Sequence, residues 1–179
     1  MDARECILSR RSIRKFTEQP VSKETIEELV SLAEYGPTWK NVQANRVIAV
    51  TDSAIQEKIA DECTTYAGNQ AIIKGAPVLL VMTTVDKRSG YERDGSFSTT
   101  KGTHWESFDA GIVTQTLCLA AHSMGLGTVI MGIFDEDKVK EAVLVPEGES
   151  VAALVALGYP DEEPAAPKRK ELEKILSFR

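Results

Sequence analysis

The sequence predicts an α+β domain in which one mixed β-sheet is flanked by helices. Three observations lead there. Pro77 to Val85 is short and continuously apolar, the pattern of a central strand buried on both faces. Glu106 to Met124 is a dense apolar helix (Phe108, Ile112, Val113, Leu117, Ala120, Ala121, Met124), with too much apolar surface on several faces for an outer position. The patterns run helices, strand, helix, strand, long helix, strand, helix, strand, tail, an order that one layered sheet accommodates. No repeat, low-complexity tract or linker interrupts the 179 residues, so 1–179 reads as a single domain.

Each element has its own signal. Asp2 to Arg10 is a short helix candidate. Ser22 is placed as an N-cap with Glu24, Glu27 and Glu28 near the positive end of the helix dipole, and Ile26, Leu29, Val30 and Ala33 follow at helical spacing until Gly36-Pro37 stops the helix. Arg46 to Thr51 is a strand, and a helix runs from about Ser53 to Cys63. Asp86 to Trp105 turns polar, with Gly90, Asp94-Gly95 and Gly102 as turn signals, so it is a candidate lid and the expected source of substrate specificity. Glu92, Arg93 and Asp94 within it read as solvated charges. Gly127 to Phe134 and Val151 to Leu157 are strands separated by a helix that begins near Asp135, and Glu162 to Pro167 is an exposed connector.

A net charge of -6 argues against a nucleic-acid partner, which requires a broad basic surface. The cations are concentrated at Arg10 to Lys15 and Lys168 to Lys170, which suits a small anionic ligand instead. Cys6, Cys63 and Cys118 are odd in number and lack a CxxC pair, so neither a disulfide framework nor a zinc site is expected. Cys118 lies in an apolar run and reads as a buried structural thiol. With no bilayer-length apolar run and no signal-peptide core, a reducing cytoplasm is the expected setting. His104 and His122 are the two histidines, and neither is assigned chemistry. Gly125-Leu126-Gly127 follows a helix and enters a strand, the reverse of a dinucleotide-binding fingerprint, and reads as a helix C-cap.

The segment Ser9-Arg10-Arg11-Ser12-Ile13-Arg14-Lys15-Phe16 is the best candidate site. A phosphate monoester is best held by forked guanidinium donors and a hydroxyl. An extended backbone puts Arg10, Ser12 and Arg14 on one side and Arg11, Ile13 and Lys15 on the other, whereas a helix would separate them. The competing reading is a solvated basic stretch after a first helix.

Three separated segments resemble the FMN-dependent nitroreductase family. Arg10 to Phe16 is similar to its early RRSxR(K)F segment, and Gly36-Pro37-Thr38-Trp39-Lys40-Asn41-Val42-Gln43 to its P-S/T-x-x-N-x-Q stretch. Asp109-Ala110-Gly111 through Gly125-Leu126-Gly127-Thr128-Val129-Ile130-Met131-Gly132 resembles its central helix followed by GLGxxxxG. The resemblance spans nearly the whole chain and implies a nitroreductase-like fold as an intertwined homodimer.

It also implies site residues. Arg10 and Ser12, with Arg11 beside them and Arg169 from the tail, would hold the FMN phosphate or ribityl chain. Arg14 would lie near flavin N1 and the C2 carbonyl, where a fixed cation raises the reduction potential. Pro37, Thr38, Trp39 and Asn41 match positions that contact the flavin from the other subunit. Asn69 resembles an amide that bonds the pyrimidine edge, and Ile130, Met131 and Gly132 would pass their backbone along the ring. Taken alone, Asn41 and Gln43 favour turn chemistry, Asn69 beside Gly68 is equally typical of a turn, and Trp39 suits either a ligand stack or a surface gap. Ala44-Asn45-Arg46 stands where members often carry an aromatic residue, which alters the expected pocket shape.

The implied activity is reduction of nitroaromatic, quinone or similar electron-poor acceptors by NADH or NADPH, in a ping-pong cycle at flavin N5 with no catalytic acid-base group. Metal is not expected. The alternatives are a specialised dehydrogenase, dehalogenase or flavin-fragmenting enzyme on the same fold, a flavin-binding protein without turnover, and a dimeric scaffold whose basic pockets serve partner contacts.

Overall fold

A computed structural model describes residues 1–179. Two long strands, β2 (Val78–Val85) and β4 (Glu149–Gly158), form the centre of a four-stranded sheet, with β1 (Asn45–Val50) beside β2 and β3 (Gly127–Met131) beside β4. Strand alternation sorts the core. Val78, Leu80 and Met82 of β2 and Val155 and Leu157 of β4 face one layer, where α2 (Lys23–Ala33) and α5 (His104–Ser123) contribute Leu29, Ala33, Val113 and Leu117. Leu79, Val81, Leu154 and Ala156 face the other, against Ile59, Ile73 and Val139. Those three come from a π-helical turn (Ile59–Cys63) that continues α3 (Ser53–Lys58), from α4 (Ala67–Gly75) and from α6 (Glu136–Val143).

The α+β class is as expected, but every strand pair is antiparallel where a mixed sheet was expected. The one parallel contact is an isolated bridge between Ser12 and Thr128 at the outer edge of β3. Between β1 and β2 the chain adds α4, a helix that no local sequence pattern announces. Gly68-Asn69 is the opening of this helix rather than a turn, and Asn69, Ile72 and Ile73 are buried there. The strand expected to reach Phe134 ends at Met131, and the helix expected over Ser53 to Cys63 changes to π geometry at Ile59.

Helix ends follow the sequence closely. Gly125 (φ +80°) ends α5 in the left-handed conformation, and Asp135 caps α6 by accepting from the Lys138 amide. Ser22 Oγ accepts from the Thr25 amide at 3.1 Å at the start of α2. Ser22→Ala is expected to cost about 1 kcal/mol, or about 2–4 °C in Tm for a chain of this size by thermal unfolding.

Candidate functional site

α1 (Ala3–Ser9) ends at Arg10, and the chain beyond is extended between two neighbours. The Ile13 amide donates to Thr128 O (2.9 Å), Thr17 to Tyr159 O (2.9 Å) and Asp161 to Lys15 O (3.0 Å). Ile13 is buried over Gly127, where an added Cβ would lie 2.7 Å from the Ile13 Cβ. Glycine is what lets the segment approach β3 this closely.

With Ile13 turned inward, Arg10, Ser12 and Arg14 line one groove of about 340 Å³, closed on the other side by Pro164, Ala165, Pro167 and Arg169. The early basic segment and the tail are thus brought together. Arg11 departs from the alternation and lines the same groove. Arg10 is a helix cap rather than a strand residue, so the Arg11 guanidinium folds back and donates to Leu8 O and Arg10 O, both at 2.8 Å. None of the four guanidinium groups is in an ion pair, since all such pairs lie elsewhere. Glu162 accepts from the Arg14 backbone amide, not from its guanidinium group. Uncompensated positive charge converging with a hydroxyl is an anion-binding arrangement.

The field of the groove reaches its neighbours. Burial pushes the Cys118 thiol up, against the lowering effects of Thr128 and Arg10, consistent with an inert thiol. Ser9 Oγ donates to Glu5 O and lies 2.7 Å from His122 Nε2, which fits donation from that ring nitrogen. Burial, then Arg10 and Arg11, holds His122 below its ordinary value of 6.5. The folded chain therefore refuses a proton that the unfolded chain accepts, a penalty absent well above pH 6.5 that grows as pH falls below 6.5 and levels off once pH is below the folded value. Inorganic phosphate in the groove would offset the two guanidinium charges. The His122 imidazole resonances are then expected to titrate at higher pH with phosphate than without in an NMR titration.

The second cluster is the turn between α2 and β1. Lys40, Asn41 and Gln43 all have positive φ (43°, 55°, 49°), an uncommon run for residues with side chains. Gln43 donates its amide to Thr38 Oγ1 (3.1 Å) and its side-chain nitrogen to Asn41 Oδ1 (3.2 Å). The expected turn chemistry of Asn41 and Gln43 is present. Trp39 is neither free-standing nor a simple plug: its ring packs on Trp105 with centroids 4.6 Å apart. Thr38 lines a separate cavity of about 320 Å³ with Gln43, Arg46 and Val113, and Pro37 is exposed.

The third cluster is the end of β3. Ile130 is half exposed and lines a cavity of about 250 Å³ with Gly111, Thr114 and Ala152. Met131 points into the core, and Gly132 faces open space, with nothing within 4 Å of where a Cβ would stand. Asn69 is buried on α4, outside all three cavities. In the single chain the candidate residues are therefore divided, with only the arginine groove complete.

Sequence reasoning missed Asp109 and Ser89. Asp109, buried on α5, accepts from the Trp39 amide (2.8 Å) and from Ser89 Oγ (2.6 Å). The available signal was a carboxylate at the start of the apolar run of α5. Glu92 is also more than a solvated charge: it pairs with Lys40 at 3.0 Å and accepts from Ser98, which lowers its pKa, Ser98 contributing most.

The model of the nitroreductase family matches residues 7–65 and 62–159. The NADPH-flavin oxidoreductase of Vibrio harveyi is 32% identical over 168 residues, covering 92% of this chain and 68% of that protein. An NADH dehydrogenase of Thermus thermophilus is 28% identical over 202 residues, covering 100% and 97%. Among solved structures, the NADPH:FMN oxidoreductase from Vibrio harveyi complexed with NAD+ superposes with a TM-score of 0.80 at 29% identity, covering 97% of this chain and 75% of that one. Matched across both halves of its sequence and over its whole fold, the chain belongs to the nitroreductase family.

Proposed function

We propose that this protein is an NAD(P)H-dependent FMN oxidoreductase, and that residues 1–179 work as one FMN-binding domain within a homodimer. The observation that carries the reading is the groove of Arg10, Arg11, Ser12, Arg14 and Arg169, four guanidinium groups without ion-pair partners around a hydroxyl. That donor set fits a phosphate monoester, and the open space over Gly132 fits a flat ring laid against backbone. Family membership and the relatives named for flavin and NAD(P)H support the same choice.

FMN, when bound, supplies hydride acceptance and donation at N5. The chain's part is binding, orientation and electrostatics. Arg10, Arg11, Ser12 and Arg169 hold the phosphate end; Arg14 keeps a positive charge beside the ring and favours its reduced form. Ile130, Met131 and Gly132 offer backbone along the ring, and Asn69 an amide to its pyrimidine edge. Pro37, Thr38, Trp39 and Asn41 complete the site from a second copy, a reading supported by their separation from the groove in one chain. The exposed Phe108 on α5 gives that second copy an apolar surface to cover. NADH or NADPH and an electron-poor nitroaromatic or quinone would occupy the remaining space in turn. No helix is long and apolar enough to cross a membrane, and three free cysteines suit a reducing cytoplasm.

The test is a visible spectrum of protein saturated with FMN and freed of excess ligand, followed by anaerobic NADH and then NADPH, with sedimentation to give the assembly state. A retained flavin band bleached by either nucleotide, on a dimer, is the expected result. A band that neither nucleotide bleaches would remove the reductase assignment, and no retained band would remove the cofactor assignment.

A further inference from the structure

Three segments far apart in sequence meet at one buried carboxyl group. Asp109 is 2% exposed, and its Oδ2 accepts both from the Trp39 backbone amide and from the hydroxyl of Ser89, itself fully buried. Burying a carboxyl group is costly unless its hydrogen bonds are made, so these two donors are a condition of its place in the fold. Trp39 opens the turn of positive-φ residues, and Ser89 opens the polar loop between β2 and α5. The same two segments are joined once more, by Lys40 and Glu92 of the loop, and Trp39 also packs on Trp105 in the first turn of α5. The loop is seated tightly there: Gly90 has φ +85°, and a Cβ on it would lie 2.9 Å from Trp105.

We propose that Asp109 is a positioning residue that locks the 86–103 loop to the 38–43 turn, so that the loop's seat fixes the conformation in which Thr38, Trp39 and Asn41 are presented. This rests on the reading of that turn as a cofactor contact only for its effect on FMN affinity; the lock itself is a property of the chain. Its consequence is that loop sequence acts on the cofactor site through the turn as well as by covering substrate. The exposed Lys40–Glu92 pair is solvent-screened and contributes little. The buried carboxyl group is the fastening that cannot be replaced by water.

The chain provides its own reporter. Trp39 and Trp105 are its two tryptophans, and they are in contact, so a far-ultraviolet exciton couplet in circular dichroism reads the turn against the start of α5, where Gly90 seats the loop on Trp105. Asp109→Ala is expected to lose the couplet and to speed tryptic cleavage at Lys87, Arg88, Arg93 or Lys101 roughly 10-fold, with FMN binding weakened about 10-fold. Because both bonds converge on one oxygen, Asp109→Asn can place its amide oxygen there and is expected to restore couplet and protease resistance. Ser89→Ala, which removes one donor and leaves the helix untouched, is expected to fall between, and carries the test if Asp109→Ala does not fold. An unchanged couplet and cleavage rate in Asp109→Ala, or in Ser89→Ala if that variant carries the test, would overturn the lock, as would an Asp109→Asn that behaves like alanine. Loss of the couplet with FMN affinity unchanged would uphold the lock and remove instead the assignment of the turn as a cofactor contact.

Discussion

Arg10→Ala is expected to weaken FMN binding by roughly 10- to 150-fold while leaving riboflavin binding near its original strength. The magnitude follows from a charge-assisted hydrogen bond, about 1.5–3 kcal/mol, and from tenfold in affinity per 1.4 kcal/mol. The two ligands differ only in the phosphate, so their affinity ratio isolates what the groove holds. Arg169→Ala should narrow the same ratio, since Arg169 faces Arg10 across the groove from the tail. Arg14→Ala is expected to behave differently. As the proposed neighbour of the ring rather than the phosphate, it should lower affinity for both ligands and lower the reduction potential of the bound flavin, at about 30 mV per 1.4 kcal/mol. Equal losses for FMN and riboflavin in Arg10→Ala would mean that the phosphate lies elsewhere.

The second large effect is expected at a residue that touches no ligand. Gly127→Ala places a Cβ 2.7 Å from both Cβ and Cγ1 of Ile13, and neither atom is the end of a flexible chain. The extended segment must then lift from β3, at a cost of about 1–3 kcal/mol, seen as a fall in Tm of about 2–4 °C per kcal/mol. FMN affinity should fall with it, because Ser12 and Arg14 flank Ile13. Gly132→Ala is the contrasting variant. Its Cβ meets nothing within 4 Å in the protein alone, so Tm should hold while FMN affinity drops if the ring lies against that backbone. A Gly127→Ala protein with wild-type Tm would show that the segment has room to move.

Local chemistry explains which parts of this structure could be read in advance. β2 was legible because both its faces are buried, which leaves an unbroken apolar run. α2 and α6 were legible because Ser22 and Asp135 announce their starts. α4 was not: Gly68-Asn69 is turn-like by itself, Tyr66 supplies no side-chain cap, and the helix is held by Ile72 and Ile73 packing on a sheet that lies outside any local window. In the site, the pairing of Ser12 with Arg14 was legible from alternation because the segment is extended from Ser12 onward, and Arg10 joins them from the end of α1. Arg11 escaped that rule because the extended stretch starts one residue after it. Asp109 escaped altogether, since its partners Trp39 and Ser89 lie 70 and 20 positions away.

The sheet has two free sides, and the chain treats them differently. β1 has no strand beyond it, whereas β3 is shielded at Thr128 by the bridge from Ser12 and the amide of Ile13. The segment that gathers the arginines is therefore also an edge guard. A strand edge with unmet backbone donors and acceptors is a template for pairing with another chain. Anything that loosens residues 10–16 bares that template on β3, so the colloidal behaviour of the protein is tied to the same few residues as its anion groove. Ile13, wedged over Gly127, is the hinge of both.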